Sequence, residues 1–408
     1  MARILLVLPT GTYRADDFLA AADALGAEVV VASDRRQAMA EAMGDRALVV
    51  DLCDPEGAAA VVAALAERSP LDAVVAVDDS GVELAAAAAG RLGLAHNQAG
   101  AVAVTRDKAR MRRALAAAGV AQPDFAVLGP GDDPAAVASA VGFPAVVKPV
   151  ALSASRGVIR VDDAESAGAA AARIRAILAA AGEDPEGPLV VDSFVPGPEV
   201  AVEGLLRDGR LEVLAVFDKP DPLDGPFFEE TIYVTPSRLG PADLEALGGL
   251  VAGAVAAIGL TEGPIHAEAR MAPGGPRLLE VAARSIGGLC SRALRFGAGV
   301  SLEELILRHA LGAPLPDLQR EAAASGVMMI PIPVSGTLRG VGGVDAARQV
   351  AGVADVVITV NPGRRVVSLP EGDRYLGFVF ARGSSPAEVE ASLRTAHAAL
   401  EVRIEPAA

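Results

Sequence analysis

The chain has 408 residues, 52% hydrophobic and 22% charged, with a formal net charge of −16. That length exceeds one ordinary core and predicts about two to four domains, while the apolar content excludes a disordered chain. Nucleic-acid binding is excluded as a main task because such a site needs a concentrated positive field; an acidic small molecule would need local Arg and Lys.

Two cysteines, Cys53 and Cys290, stand far apart. They fit a reducing compartment and offer neither a disulfide framework nor a thiolate metal site. The amino terminus enters a strand-and-loop pattern without a signal-type cleavage region, and no run reaches the roughly 18 uninterrupted apolar residues of a spanning helix. The expectation is a cytoplasmic protein with no membrane partner.

In chain order, "RILLVLP" reads as a buried strand, "ADDFLAAADALG" as a helix ending at Gly26, and "AEVVVAS" and "LDAVVAVD" as further strands. Continuous apolar strands alternating with helices predict a doubly wound parallel α/β domain over 1–100. Just after its first strand, "PTGTYR" is either a turn needing Gly11 or the place where Tyr13 and Arg14 meet a substrate carboxylate. "TRDKARMRRALAAAGV" reads as a capped basic helix, and "AQPDFAVL" as an extended connector. Strand "FPAVVKPV", loop "ALSASRG", strand "VIRV", a helix from Asp162 to Ala181 and strand "PLVVDSFV" predict a small α+β lobe at about 144–194 within a unit spanning 101–315. A hairpin at 263–284 and the helix "SLEELILRHALG" belong to the same unit. Residues 326–408 read as a β-rich domain with Gly-Gly and Pro-Gly turns and a late helix near 386–400.

The chemistry concentrates in three places. Loop residues Ser153, Ser155, Arg156 and Gly157 can offer N–H groups and hydroxyls to an anion, although most small polar loops are plain hairpin turns. Lys148 lies inside an apolar strand, where it either needs a charged partner or snorkels to water at the strand end. In "GPIHAEARMAPGGPRLLEVAARSIGG", pairing about Gly274 would set Glu268 opposite Glu280. His266, Glu268 and Arg270 would then share one face, and Leu278, Glu280, Ala282 and Arg284 the matching one. Opposed carboxylates destabilise a sheet unless a cation bridges them, and Mg²⁺ binds one or two carboxylates together with substrate phosphates. The alternative is an ordinary salt bridge to Arg270 or Arg284. His266, opposite Ala282, is either a metal or substrate contact or a hydrogen-bonded structural group. No nucleophile elbow and no dinucleotide fingerprint occurs, which weighs against a nucleophilic triad and a nicotinamide oxidoreductase.

Taken in order, the "DKARMRRALAAAGV" helix, "FPAVVKP", "SASRGV", "VVDSFVPGPEVAVEG", "HAEAR" and "LLEVAARSIGG" resemble the ATP-grasp ligases over residues 100–315. The flanking units fit the biotin-carboxylase-like branch, with a pre-ATP-grasp domain before and a β-rich domain after the ATP-grasp fold. The resemblance implies that Lys108 and Lys148 contact ATP phosphates and that the 151–157 loop closes over them. Asp192 would replace the usual Glu at the adenine-facing hinge, Phe194 and Val195 would meet the adenine edge, and Glu199 would hold the ribose hydroxyls. Glu268 and Glu280 would bind Mg²⁺, with Mn²⁺ as an alternative, and Arg284 would neutralise charge on the transferred phosphoryl group.

Ala282, where the family commonly has Asn, resembles the amino-acid ligase branch. "GPFFEETIYVTPS" resembles the substrate segment of those ligases through Glu230 and Thr231, but Ile232 and Tyr233 depart from its pattern. The implied reaction joins a small-molecule carboxylate, activated as an acyl phosphate, to an amine. Glu230 would bind or deprotonate the amine, Tyr233 would contact substrate, and Arg284 with the backbone at Gly287 and Gly288 would stabilise the oxyanion. A homodimer is left open. The competing readings are a bicarbonate-using carboxylase relative and a non-catalytic ATP-binding regulatory protein.

Overall fold

The computed structural model describes residues 1–37 and 40–406. Strands Arg3–Val7, Glu28–Ser33, Ala47–Val49 and Ala73–Ala76 form a parallel sheet, with Arg3–Val7 between Glu28–Ser33 and Ala73–Ala76. All five positions of Arg3–Val7 are buried, as a central strand covered by helices on both faces requires. Its carboxyl end leads to Tyr13, and that of Ala73–Ala76 leads to Asp78 and Asp79, so this edge of the sheet opens onto the cleft described below.

The small lobe carries an antiparallel sheet ordered Phe125–Leu128, Leu189–Ser193, Ala145–Pro149, Ile159–Val161. Helix Ala164–Ala181 covers it, started by a capping box between Asp163 and Ser166 and stopped by Gly182 at φ 78°. The lobe therefore begins earlier than the expected residue 144. Phe125–Leu128 is a strand and not a connector, because its partner is the distant Leu189–Ser193.

An eight-stranded sheet forms the main body, ordered Gly275–Ala282, Gly263–Ala272, Glu199–Arg207, Arg210–Lys219, Ile232–Thr235, Ala324–Ile330, Gly377–Gly383, Val353–Ile358. It runs without a break from the hairpin into the C-terminal strands, so the expected boundary at 315–326 separates segments of sequence and not two sheets. A three-stranded sheet of Arg365–Val366, Gly336–Gly342 and Glu401–Pro406, with helix Pro386–Ala398, completes the β-rich unit. Helix Pro241–Ile258 is long and apolar enough to cross a membrane by composition; it buries Leu247, Val251, Ala254 and Val255 in the core shared with Ala267, Leu278 and Val281.

The hairpin places Glu268 opposite Glu280 and His266 opposite Ala282. The symmetry that produces this differs from the expected one. Ala272 pairs with Gly275 across a two-residue turn, and a bulge beyond Glu268 moves the partner of Ala269 to Leu278. Leu278 is consequently fully buried against Ala269 in the apolar core, while Leu279 and Glu280 both border the cleft. The bulge re-aims side chains at the rim of the site, a recurrent use of this irregularity.

Candidate active site

The small lobe, the main sheet and the parallel sheet enclose a cleft of about 410 Å³. Both lysines expected at phosphates border it. Lys108 opens helix Lys108–Ala117; its Nζ donates to Leu152 O at 2.7 Å and lies 3.3 Å from Glu280. Nζ of Lys148 lies 2.5 Å from Asp192, whose carboxylate also receives Nε and Nη2 of Arg112 at 3.0 and 2.8 Å. Burial pulls the Lys148 pKa down against the attraction of Asp192. Burial would raise Asp192, but Arg112 and Lys148 hold it at about 2. Two cations sharing one carboxylate leave a surplus positive charge facing the cleft. Asp192 is thus an anchor for Lys148.

Phe194 lies under the guanidiniums of Arg160 and Arg270, at 4.5 and 5.0 Å, and Val195 O accepts from Arg270 at 3.1 Å. Both oxygens of Glu199 are engaged, one by Lys219 at 2.7 Å and the other by Arg270 at 3.1 Å.

The densest charge cluster centres on Lys219, which sequence reasoning missed. Its side chain is 2% exposed, and its Nζ contacts Glu199, Glu230 and, at 3.2 Å, Glu268. Burial opposes the charge on Lys219, but the three carboxylates raise its pKa well above the ordinary value. Glu230 is pushed up to about 7, by burial first and by its neighbours Glu268 and Glu199, against the pull of Lys219. Glu268 is held well below the ordinary range because Lys219 and His266 outweigh burial. His266 uses Nδ1 on buried Glu203 and Nε2 on Glu268 at 3.3 Å. Burial lowers it, yet Glu203 and Glu268 carry it to about 9. One sequence signal could have found Lys219. The chain has three lysines, Lys108, Lys148 and Lys219, and all three belong to this site.

Arg284 borders the cleft with Nη2 2.8 Å from Asp79 Oδ2, another residue missed from sequence. Tyr13, Ser153, Ser155, Tyr233, Gly287 and Gly288 also border it. Three expected site residues point elsewhere. Arg14 is fully buried, donating to Val77 O at 3.1 Å, Ser285 Oγ at 2.9 Å and Glu303 at 3.0 Å, so it clamps elements together and cannot meet a substrate carboxylate. Gly157 N–H donates to Pro370 O at 2.9 Å and Arg156 Nε to Glu371 O at 3.0 Å. These two residues hold the loop against the C-terminal unit, while its serines face the cleft.

The oxygens of Glu199, Glu230 and Glu268 lie within 4.8 Å of one another, and Glu280 faces Glu268 across the hairpin. An all-carboxylate donor set suits a hard cation such as Mg²⁺. Lys219 already sits inside the Glu199–Glu230–Glu268 group, so the pair Glu268 and Glu280 fits a metal better.

Family profiles agree with this layout: an ATP-grasp domain matches residues 141–293, an ATP-grasp N-terminal domain 19–96, and an L-amino acid ligase C-terminal domain 328–405. The chain carries an ATP-grasp domain. The crystal structure of an L-amino acid ligase from Bacillus licheniformis is similar over 99% of both chains, with a TM-score of 0.83 and 26% identity. Alanine–anticapsin ligase from Bacillus subtilis is 28% identical over 60% of this ATP-grasp chain and 54% of its own length. Carnosine synthase 1 from Gallus gallus is 35% identical over 52% of this chain and 23% of its own length. The chain thus spans well under two thirds of these two curated relatives.

Proposed function

We propose that this ATP-grasp protein is an ATP- and Mg²⁺-dependent carboxylate–amine ligase acting on amino acids. The observation that carries the reading is the convergence on one cleft of the opposed Glu268 and Glu280 with Lys108, Lys148 and Arg284. Similarity over its full length to an L-amino acid ligase supports the same reading. In this reading 1–100 and 326–408 frame a catalytic unit at 101–315.

Lys108 and Lys148 would bind the phosphates, with the Ser153–Ser155 loop over them. Glu268 and Glu280 would hold Mg²⁺, which supplies charge neutralisation on the phosphates. A carboxylate oxygen of the acid attacks the γ-phosphorus, the bond to the ADP oxygen breaks, and an acyl phosphate forms. Arg284 neutralises charge as it develops. The amine nitrogen then attacks the acyl carbon, Glu230 takes the proton, and phosphate departs with the electron pair of the broken C–O bond. A carboxyl titrating near 7 is matched to that proton transfer at neutral pH.

The test is ADP and phosphate release from ATP with Mg²⁺ over a panel of amino acids, singly and in pairs. Release requiring two amino acids is the expected result. Dependence on bicarbonate would replace the ligase with a carboxylase, and tight ATP binding without stimulated turnover would make it a binding protein.

A further inference from the structure

The chain contains three tyrosines and no tryptophan, and all three tyrosines border the one cleft. They come from remote parts of the sequence and meet at the same apolar cluster. The Tyr375 backbone N–H donates to the Tyr13 hydroxyl at 3.3 Å. Both rings pack edge-on against Phe378, with centroids at 5.4 and 6.1 Å. Tyr233 is 2% exposed, lies against Phe217 at 5.7 Å and has Lys219 Nζ 5.0 Å from its ring centroid. Met329 is fastened beside it by its N–H to Thr231 O at 2.7 Å.

We infer that the end of the cleft bounded by Tyr13, Tyr233, Tyr375, Met329, Ile286 and Cys290 is the side-chain subsite of the amine substrate, and that it takes an uncharged apolar side chain. The inference rests on the ligase reading and adds the substrate class. The walls are rings, a thioether, a thiol and an aliphatic group, which complement apolar surface. The neighbouring carboxylates are Glu230, Glu203, which accepts from the Ile286 N–H at 2.9 Å, and, at the exposed rim, Asp373. They would repel an acidic side chain, and the cation against the Tyr233 ring, Lys219, is already enclosed by three carboxylates. A basic side chain would have to leave water for aromatic walls, since Asp373 already lies 3.4 Å from Arg374. The subsite belongs to the amine because Glu230, the proton acceptor of the second step, shares Lys219 with Tyr233.

A chain without tryptophan makes tyrosine emission a direct reporter of this subsite. With a non-hydrolysable ATP analogue and Mg²⁺, leucine and methionine should give a saturable change in emission, and aspartate and lysine should not. In turnover, Tyr375→Ala should raise KM for leucine about tenfold, leaving kcat and the KM for ATP near parental values, while Tyr375→Phe keeps leucine affinity. A saturable response to aspartate or lysine in place of leucine, or an unchanged leucine KM in Tyr375→Ala, overturns the subsite. Leucine binding with no ADP formed from any pair overturns the ligase reading and leaves an apolar amino-acid site standing.

Discussion

Replacing Lys219 by Met removes a charge while nearly keeping the side chain's length and volume. Breaking a buried ion pair from one side costs about 3–5 kcal/mol, because a charge is left buried without a partner. Here the cost is shared unevenly. Glu199 keeps Arg270 at 3.1 Å and Glu268 keeps His266 at 3.3 Å, so Glu230 alone loses its cation. Its carboxyl already titrates near 7, and it can escape the penalty by taking up a proton. Lys219→Met should therefore cost about 3 kcal/mol, the low end of that range, on the alkaline side of this titration. On the acid side the loss is smaller, since Glu230 is then protonated in the parent as well. Urea unfolding of the parent, Lys219→Met, Glu230→Gln and the double variant would measure the coupling. We expect at least about 1 kcal/mol above neutral pH, shrinking below it. A Lys219→Met variant within about 0.5 kcal/mol of the parent, or a coupling that ignores pH, would refute the clamp.

Four further outcomes follow from the same geometry. His266 titrates near 9 in the fold against an ordinary 6.5, so its charge contributes stability in full below about 6.5. That stability, on the order of 3 kcal/mol, is lost as pH rises through about 9, and the melting difference between parent and His266→Gln should narrow over that window. Because Glu230 must lose its proton to act as base, ADP release should climb as pH passes about 7; Glu230→Gln should lack that limb. Glu280→Ala should abolish turnover with an unchanged circular dichroism spectrum, and near-normal turnover would remove Glu280 from the metal site. Arg14→Met should cost about 3–5 kcal/mol of stability and leave the acid substrate's KM unchanged; a raised KM in a fully stable variant would return Arg14 to the cleft.

The parts legible in the sequence were those decided by local pattern. Apolar runs and capped helices marked the parallel domain and the Ala164–Ala181 helix, and pairing about Gly274 set Glu268 opposite Glu280, a partnership that the shifted turn and the bulge together preserve. The parts that escaped were decided by partners far away in the chain. Phe125–Leu128 is a strand only because Leu189–Ser193 pairs with it. The bulge that buries Leu278 and turns Leu279 to the cleft is a tertiary adjustment invisible to alternation. Arg14 was expected to meet a substrate carboxylate just after the first strand, but Ser285 and Glu303, 271 and 289 residues away, hold it inside. Lys219 was passed over because one lysine at a strand end is unremarkable until the three carboxylates around it are brought together.

If a chain of net charge −16 binds a nucleotide, as proposed, it needs its cations held ready without leaving them bare. Within the cleft each main cation is already paired: Lys108 with Glu280, Lys148 with Asp192, Arg284 with Asp79, and Lys219 with its three glutamates. Bringing in nucleotide would then exchange partners among desolvated groups, and no bare buried charge would have to wait for the ligand, a state that would cost several kcal/mol per ion. The exchange is open where a carboxylate has another role to take up, as when Glu280 leaves Lys108 for a metal and frees the lysine for a phosphate. It is open at Asp192 for a different reason, because Arg112 keeps the carboxylate paired when Lys148 turns away. On this logic Lys108 and Lys148 can both move to phosphate oxygens, and Lys219, with no such release, stays as the fixed charge that sets the titration of Glu230.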